Sequence, residues 1–161
     1  MKIEYTGSHF WKVPTSYQPG QTLQLATIAK FESHFKVKLP ESYKGLMLEQ
    51  NGGELGFPNL RICQDDEVII PYFYELELNS GVGLSHVFSE ELGLPRDLLF
   101  LSGDLHTWMA LDYRHNNTPK VIYLSESDAE AGRWEEEILA HSFDEFLSKL
   151  YKVGDLATGN R

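Results

Sequence analysis

Asp104, His106, Asp112 and His115 are the one acid–histidine grouping in the chain. Carboxylates and imidazoles bind metals and carry protons, and residues two apart on a strand share a face, so Asp104 and His106 would point together. Asp112 and His115 fall at the far end of the same predicted element. That is too distant to complete a four-ligand site, so the grouping reads as a Gly-Asp turn beside a solvent-facing histidine, with no metal expected. The chain has one cysteine, Cys63, and six histidines. A Cys–His dyad needs a thiolate beside an imidazole. Next to Ile62 at a strand end, Cys63 reads instead as a small apolar filler. A small hydrolase using Cys63 is thus the weakest of the functional readings.

Other chemistries fail on spacing. Gly81-Val82-Gly83 lacks the third glycine of a dinucleotide loop, and no phosphate-loop lysine follows any glycine run. Gly83-Leu84-Ser85-His86 lacks the second glycine of a nucleophile elbow. Glu126, Asp128, Glu130, Glu135, Glu136 and Glu137, countered within the run only by Arg133, form a solvated acidic face rather than a tuned acid–base pair. Trp134 lies inside that run. A large aromatic among charges anchors a partner or packs a sheet, and both readings stay open. No catalytic residue and no cofactor is expected, and the acidic run with Trp134 is the candidate partner-binding surface.

The composition sets the frame for these residues. The chain has 161 residues, of which 42% are apolar and 24% charged, which matches one folded domain spanning 1–161. One cysteine allows no internal disulfide, which fits a reducing compartment. The start has no apolar leader and the apolar runs are short, so a cytoplasmic protein without membrane contact is expected. The net charge is −10, with +2 over residues 1–50 and −12 over 51–161. Such a field repels phosphate backbones, which argues against nucleic acid, and it steers basic partners.

The elements follow from periodicity. Residues 1–21 mix glycine and proline with Tyr5, Phe10, Trp11 and Tyr17, an irregular arm laying rings on the domain. A helix follows from Thr22 as N-cap, with Leu25, Ile28 and Phe35 inward and Phe31 beside them. Leu39-Pro40 resets the chain. A short helix from Glu41 to Gln50 turns Tyr43, Leu46 and Met47 inward, and Asn51-Gly52-Gly53 stops it in left-handed conformation. Strands are predicted over Leu60–Cys63, Val68–Tyr74, Leu98–Ser102, Thr107–Tyr113 and Lys120–Leu124. A helix or turn is inserted between Ser80 and Pro95. Ser142-Phe143-Asp144-Glu145 has capping-box form. Phe143, Phe146, Leu147 and Leu150 then make one helical stripe, and residues 154–161 read as a tail. The class is α+β, a mainly antiparallel sheet flanked by N-terminal helices and a C-terminal helix.

These segments together resemble the SUKH superfamily, which includes fungal cell-wall-assembly regulators and many bacterial immunity proteins. The likeness rests on Leu39-Pro40-x-x-Tyr43, the short helix, and Asn51-Gly52-Gly53. It continues through Ser102-Gly103-Asp104, a strand ending Leu111-Asp112, Pro119 to Tyr123, and Ser142-Phe143-x-x-Phe146-Leu147. It runs from about Thr22 to Leu150, with Leu105-His106-Thr107-Trp108 replacing the usual stretch rich in glycine and aspartate. The resemblance implies a SUKH-like fold and a non-enzymatic binding protein. The first expectation is an immunity protein that occludes a nuclease- or deaminase-type toxin. The alternative is a regulatory scaffold for a cellular protein. The motif residues themselves are expected to be structural.

Overall fold

The computed structural model describes residues 1–17, 20–63 and 65–154, the side chain of Cys63 excepted. The reading of Cys63 as an apolar filler rather than half of a dyad, and the tail beyond Gly154, therefore lie outside the described residues. The class is the expected α+β, and every strand pairing is antiparallel. Three sheets form rather than one. The first has the order β1 (Lys2–Glu4), β10 (Leu150–Val153), β3 (Asn59–Cys63) and β4 (Asp66–Ile69). A short ribbon pairs β2 (Gly53–Glu54) with β5 (Tyr72–Phe73). The third is a meander of β6 (Leu98–Gly103), β7 (Thr107–Asp112), β8 (Lys120–Glu126) and β9 (Trp134–Ala140).

The predicted strand Val68–Tyr74 breaks into β4 and β5 at Ile70-Pro71. Proline has no N–H for a ladder, and the chain turns there so that the Ile70 N–H reaches the Pro58 carbonyl and the Pro71 carbonyl accepts from Leu55. The meander fits its apolar run. Leu99, Leu101, Met109, Leu111, Val121 and Leu139 face the main core, while Leu98, Phe100, Trp108, Ala110, Ile122 and Leu124 face a second one. Both faces are covered, so the first four residues of β6, Leu98 to Leu101, are all apolar. The second core is closed by α3 (Ser85–Leu92), which begins after a single 3₁₀ turn (Val82–Leu84) and brings Phe88 and Leu92 onto the sheet.

The first helix, α1 (Leu25–Phe35), starts later than predicted. Thr22 does not cap it. Gln24 holds the N-cap position without a side-chain bond, because Leu23 is buried in the main core and keeps residues 22–24 extended. Ile28 and Phe31 are buried as expected, but Leu25 is 72% exposed in the first turn. The second helix, α2 (Glu41–Glu49), buries Tyr43, Leu46 and Met47 as its spacing predicted. The last helix, α4 (Phe143–Lys149), has Ser142 as its cap, with the hydroxyl accepting from the Glu145 N–H. The Glu145 carboxylate reaches back to the His141 N–H, one residue before the cap. Phe143, Phe146 and Leu150 are buried, and Leu147 packs partly buried beside them, but Leu150 already begins β10.

The arm is less irregular than expected. Lys2–Glu4 adds β1 to the sheet edge through backbone pairing, with the Lys2 ammonium 4.8 Å from the centre of the Tyr151 ring and all three residues exposed, which is why no pattern betrays it. Phe10 and Trp11 are fully part of the main core, with the Trp11 indole N–H donating to the Leu46 carbonyl over 3.1 Å.

Candidate functional site

The acidic run does not form a single face. Residues 134–140 make β9, an edge strand of the meander, and strand pleating sends successive side chains to opposite sides. Directly paired residues share a side. Met109, Tyr123 and Glu137 therefore lie in one row, and Thr107, Ser125 and Glu135 in the next, both on the main-core side. Trp134 and Glu136, opposite Glu126 and Leu124, lie on the other side. A solvated face was the expectation. The pleat splits it, because the periodicity of two was masked by three identical glutamates.

Several of the carboxylates are committed to the fold. Glu126 accepts from the Gly132 N–H at 2.7 Å and pairs with His106 Nδ1 at 2.9 Å. These bonds hold its carboxyl below the usual range, the Gly132 N–H contributing most. Glu136 takes Arg114 Nη2 at 2.6 Å, and the same guanidinium grips Asp112 through Nε at 2.8 Å and Nη2 at 3.0 Å. Asp112 is only 4% exposed. Burial alone would raise its carboxyl, but the Arg114 bonds and charge outweigh it and hold the group low. Trp134 is half-buried against the second core, and its indole N–H donates to the Leu92 carbonyl over 3.0 Å. Its place is sheet packing. Asp128 and Glu130 sit exposed in the preceding loop. Glu135 and Glu137 are exposed on the strand and, among the described residues, have no hydrogen-bond or ion-pair partner.

The acid–histidine grouping comes apart likewise. Asp104 Oδ1 accepts from the N–H groups of His106 and Thr107, each at 2.8 Å, and from the Thr107 hydroxyl. Burial would raise this carboxyl, yet those bonds keep it below its ordinary value. Asp112 lies at the other end of β7 with Arg114. Among the described residues no three of His, Cys, Asp or Glu gather as a metal site.

The motif residues hold the fold together. Asn51 is buried: its amide donates to the Gln21 carbonyl at 2.8 Å and to Glu77 at 3.0 Å, and its side-chain oxygen accepts the Leu76 N–H at 2.8 Å. The expected left-handed stop of α2 is not what ends the helix. Gln50 leaves it extended, and the positive φ values fall at Gly52 (98°) and Gly53 (140°), since Asn51 is drawn inward to its partners. Gly103 makes room for a ring: a Cβ there would meet the Trp108 indole at 2.3 Å. Its carbonyl accepts two phenols, Tyr72 and Tyr74, at 2.6 Å each. Burial foremost, then the Tyr72 phenol, raises Tyr74, so it stays a donor. Leu39 is buried, and Pro40 stands at the start of α2.

Clefts open on the surface of the described residues. One of about 410 Å³, between the end of α1 and α3, carries Glu90, Asp97, Arg96 and His86, a near-balanced set that selects no occupant. One of about 390 Å³ brings Leu39-Pro40 against Ser142-Phe143-Asp144, and the Ser42 hydroxyl bonds Asp144 across it. One of about 340 Å³ lies between the two four-stranded sheets, lined by Ile69, Tyr72, Asp104, Met109 and Tyr123 among others. Sequence reasoning missed this last cleft, because Ile69 and Tyr123 come from different sheets and no linear motif joins them. No described helix is long and apolar enough to cross a membrane.

A family model described as SMI1-KNR4 cell-wall, of the SUKH group, matches residues 25–147. No curated protein matches the chain.

Proposed function

Because the chain belongs to the SMI1-KNR4 family of SUKH proteins, we propose that it is a cytoplasmic, non-catalytic protein-binding module that acts as an immunity protein, neutralising a nuclease- or deaminase-type toxin by covering its active site. The observation that carries the reading is family membership over residues 25–147, a family of immunity proteins and regulators. The charge supports it. A toxin that handles a phosphate backbone has a basic active site, and a protein of net charge −10 is drawn to it. The geometry is in keeping with it: the candidate acids Asp104, Asp112, Glu126 and Glu136 each accept bonds from groups of the fold itself.

The test seeks, among the genes beside this one, a large secreted protein with a toxin-like C-terminal domain, and assays that domain for nuclease and deaminase activity with and without this protein. Loss of toxin activity at one-to-one stoichiometry is expected. Full toxin activity at molar excess, with recovery of a cellular non-toxin partner instead, would favour a regulatory scaffold, the reading that the family's cell-wall description supports.

A further inference from the structure

The cleft between the two four-stranded sheets and the two unpartnered glutamates of β9 lie on one side of the meander. The row that puts Met109 and Tyr123 on the cleft floor continues one strand further to Glu137, and the neighbouring row from Thr107 ends at Glu135. Strands lie about 4.8 Å apart, so Glu137 sits roughly 10 Å from Met109 along the row. The half-buried Tyr123 and Tyr72 supply ring surface, the latter with Tyr17 stacked on it at 5.1 Å, Ile69 supplies apolar surface over the buried Met109, and Asp104 supplies a carboxylate. All three bonds to Asp104 fall on Oδ1, which leaves Oδ2 unpartnered. Among the described residues no lysine or arginine lines the cleft. Ile69 stands at its rim, 58% exposed.

We propose that this cleft receives an arginine on an extended segment of the protein partner, with flanking basic residues lying over Glu135 and Glu137. The proposal rests on the protein-binding reading above and places the contact. A guanidinium is the group that both stacks flat on a tyrosine ring and forks onto a carboxylate, whereas an ammonium neither stacks flat nor forks and pairs with the carboxylate as a point charge. The exposed Asp104, Glu135 and Glu137 give this side a negative field that draws in a cation and repels an anion. A second copy of this chain would bring the same carboxylates against them. The other side of the meander is closed by α3, and on this side the main core leaves the cleft and the β9 edge open to an incoming segment.

The experiment is a nuclear magnetic resonance titration of the ¹⁵N-labelled full chain with a synthetic peptide of alternating arginine and glycine, with matched lysine and glutamate peptides. Expected are shifts at Ile69, Tyr72, Thr107, Tyr123, Glu135 and Glu137, smaller with lysine and absent with glutamate. Ile69→Arg fills the rim with an internal cation at an exposed position. It should abolish those shifts while leaving the rest of the spectrum folded. Shifts spread equally over Glu90, Glu91 and the other surface carboxylates, or untouched by Ile69→Arg, would overturn the proposal as mere attraction between opposite charges. In parallel, the neighbouring toxin domain is bound to wild type, to Ile69→Arg, to the pair Glu135→Lys/Glu137→Lys, and to Glu90→Lys/Glu91→Lys on α3. An association rate lowered at least about tenfold at low salt in the first two variants alone supports the site. Equal rates in all four sink it while the immunity reading stands. A toxin that fails to bind wild type sinks that reading instead, and the peptide titration still decides the cleft.

Discussion

The turn after α2 and the strand β9 are both polar stretches, three residues each at Asn51-Gly52-Gly53 and Glu135-Glu136-Glu137, but they spend their polarity in opposite directions. At the turn every side-chain polar atom of Asn51 is used inward, on Gln21, Leu76 and Glu77, so that the arm, the helix end and the segment before the 3₁₀ turn are tied at one buried point. On β9 the outer two glutamates face solvent and only Glu136 is tied, to Arg114. A buried polar group must be satisfied and is expensive to disturb, whereas an exposed charge is hydrated and nearly free to change. An edge strand also gains from charge, which keeps it from pairing with another chain. The first stretch builds the protein. The second is available to meet something else.

The comparison can be broken most directly at Gly52. Its φ of 98°, with the Glu75 nitrogen 3.0 Å and the Phe73 carbonyl 3.1 Å from a built Cβ, leaves no room for a branched side chain. Gly52→Val should cost about 3 kcal/mol, from positive-φ strain and overpacking together. An unchanged denaturant midpoint would show that the turn is not structural. Asn51→Ala should follow at about 2 kcal/mol, the penalty for leaving the buried Leu76 N–H and its neighbours unsatisfied, read from the same urea titration with an unchanged m-value.

Arg114→Leu sharpens the comparison, because Glu136 is the one carboxylate of β9 that behaves like the turn. The variant strands Asp112, and a loss of about 2 kcal/mol is expected. That is below the cost of breaking a fully sequestered pair, since water reaches the partly exposed guanidinium. The pH dependence has a definite sign. Asp112 is held below its ordinary carboxyl value, so the unfolded chain binds the proton first. Its contribution is complete above the unfolded value of about 3.9 and is lost as pH falls through the lower folded value. Thermal melts between neutral pH and the carboxylate range should show an acid limb that flattens in Asp112→Asn; an identical limb would contradict the clamp. The smallest effect is expected for Glu135→Lys with Glu137→Lys. The melting curve should move by no more than about 0.5 kcal/mol, as for other solvated surface changes. A larger loss would mean that β9 holds the fold through these glutamates and is not a spare surface.

Residue types and local spacing alone determined the helices α2 and α4, the Ser142 cap and the apolar stripes of β6 to β8. Each follows from forces acting within a few residues, such as capping, proline's missing N–H and the two periodicities. Helix α1 was legible in its centre and wrong at its start, because the burial of Leu23 is a tertiary event that overrode Thr22. The strands β1, β9 and β10 escaped reading for a related reason. Lys2–Glu4 is held by backbone pairing, β9 is written in glutamates, and Leu150–Val153 continues a helical stripe until it meets β3. Only the tertiary structure decided which carboxylates are free. Arg114 reaches both Asp112 and Glu136 across the sheet, and Asp104 turns into its own backbone. The cleft between Ile69 and Tyr123 exists only once two sheets that share no sequence neighbourhood are brought side by side, and packing of distant segments is not written in local spacing.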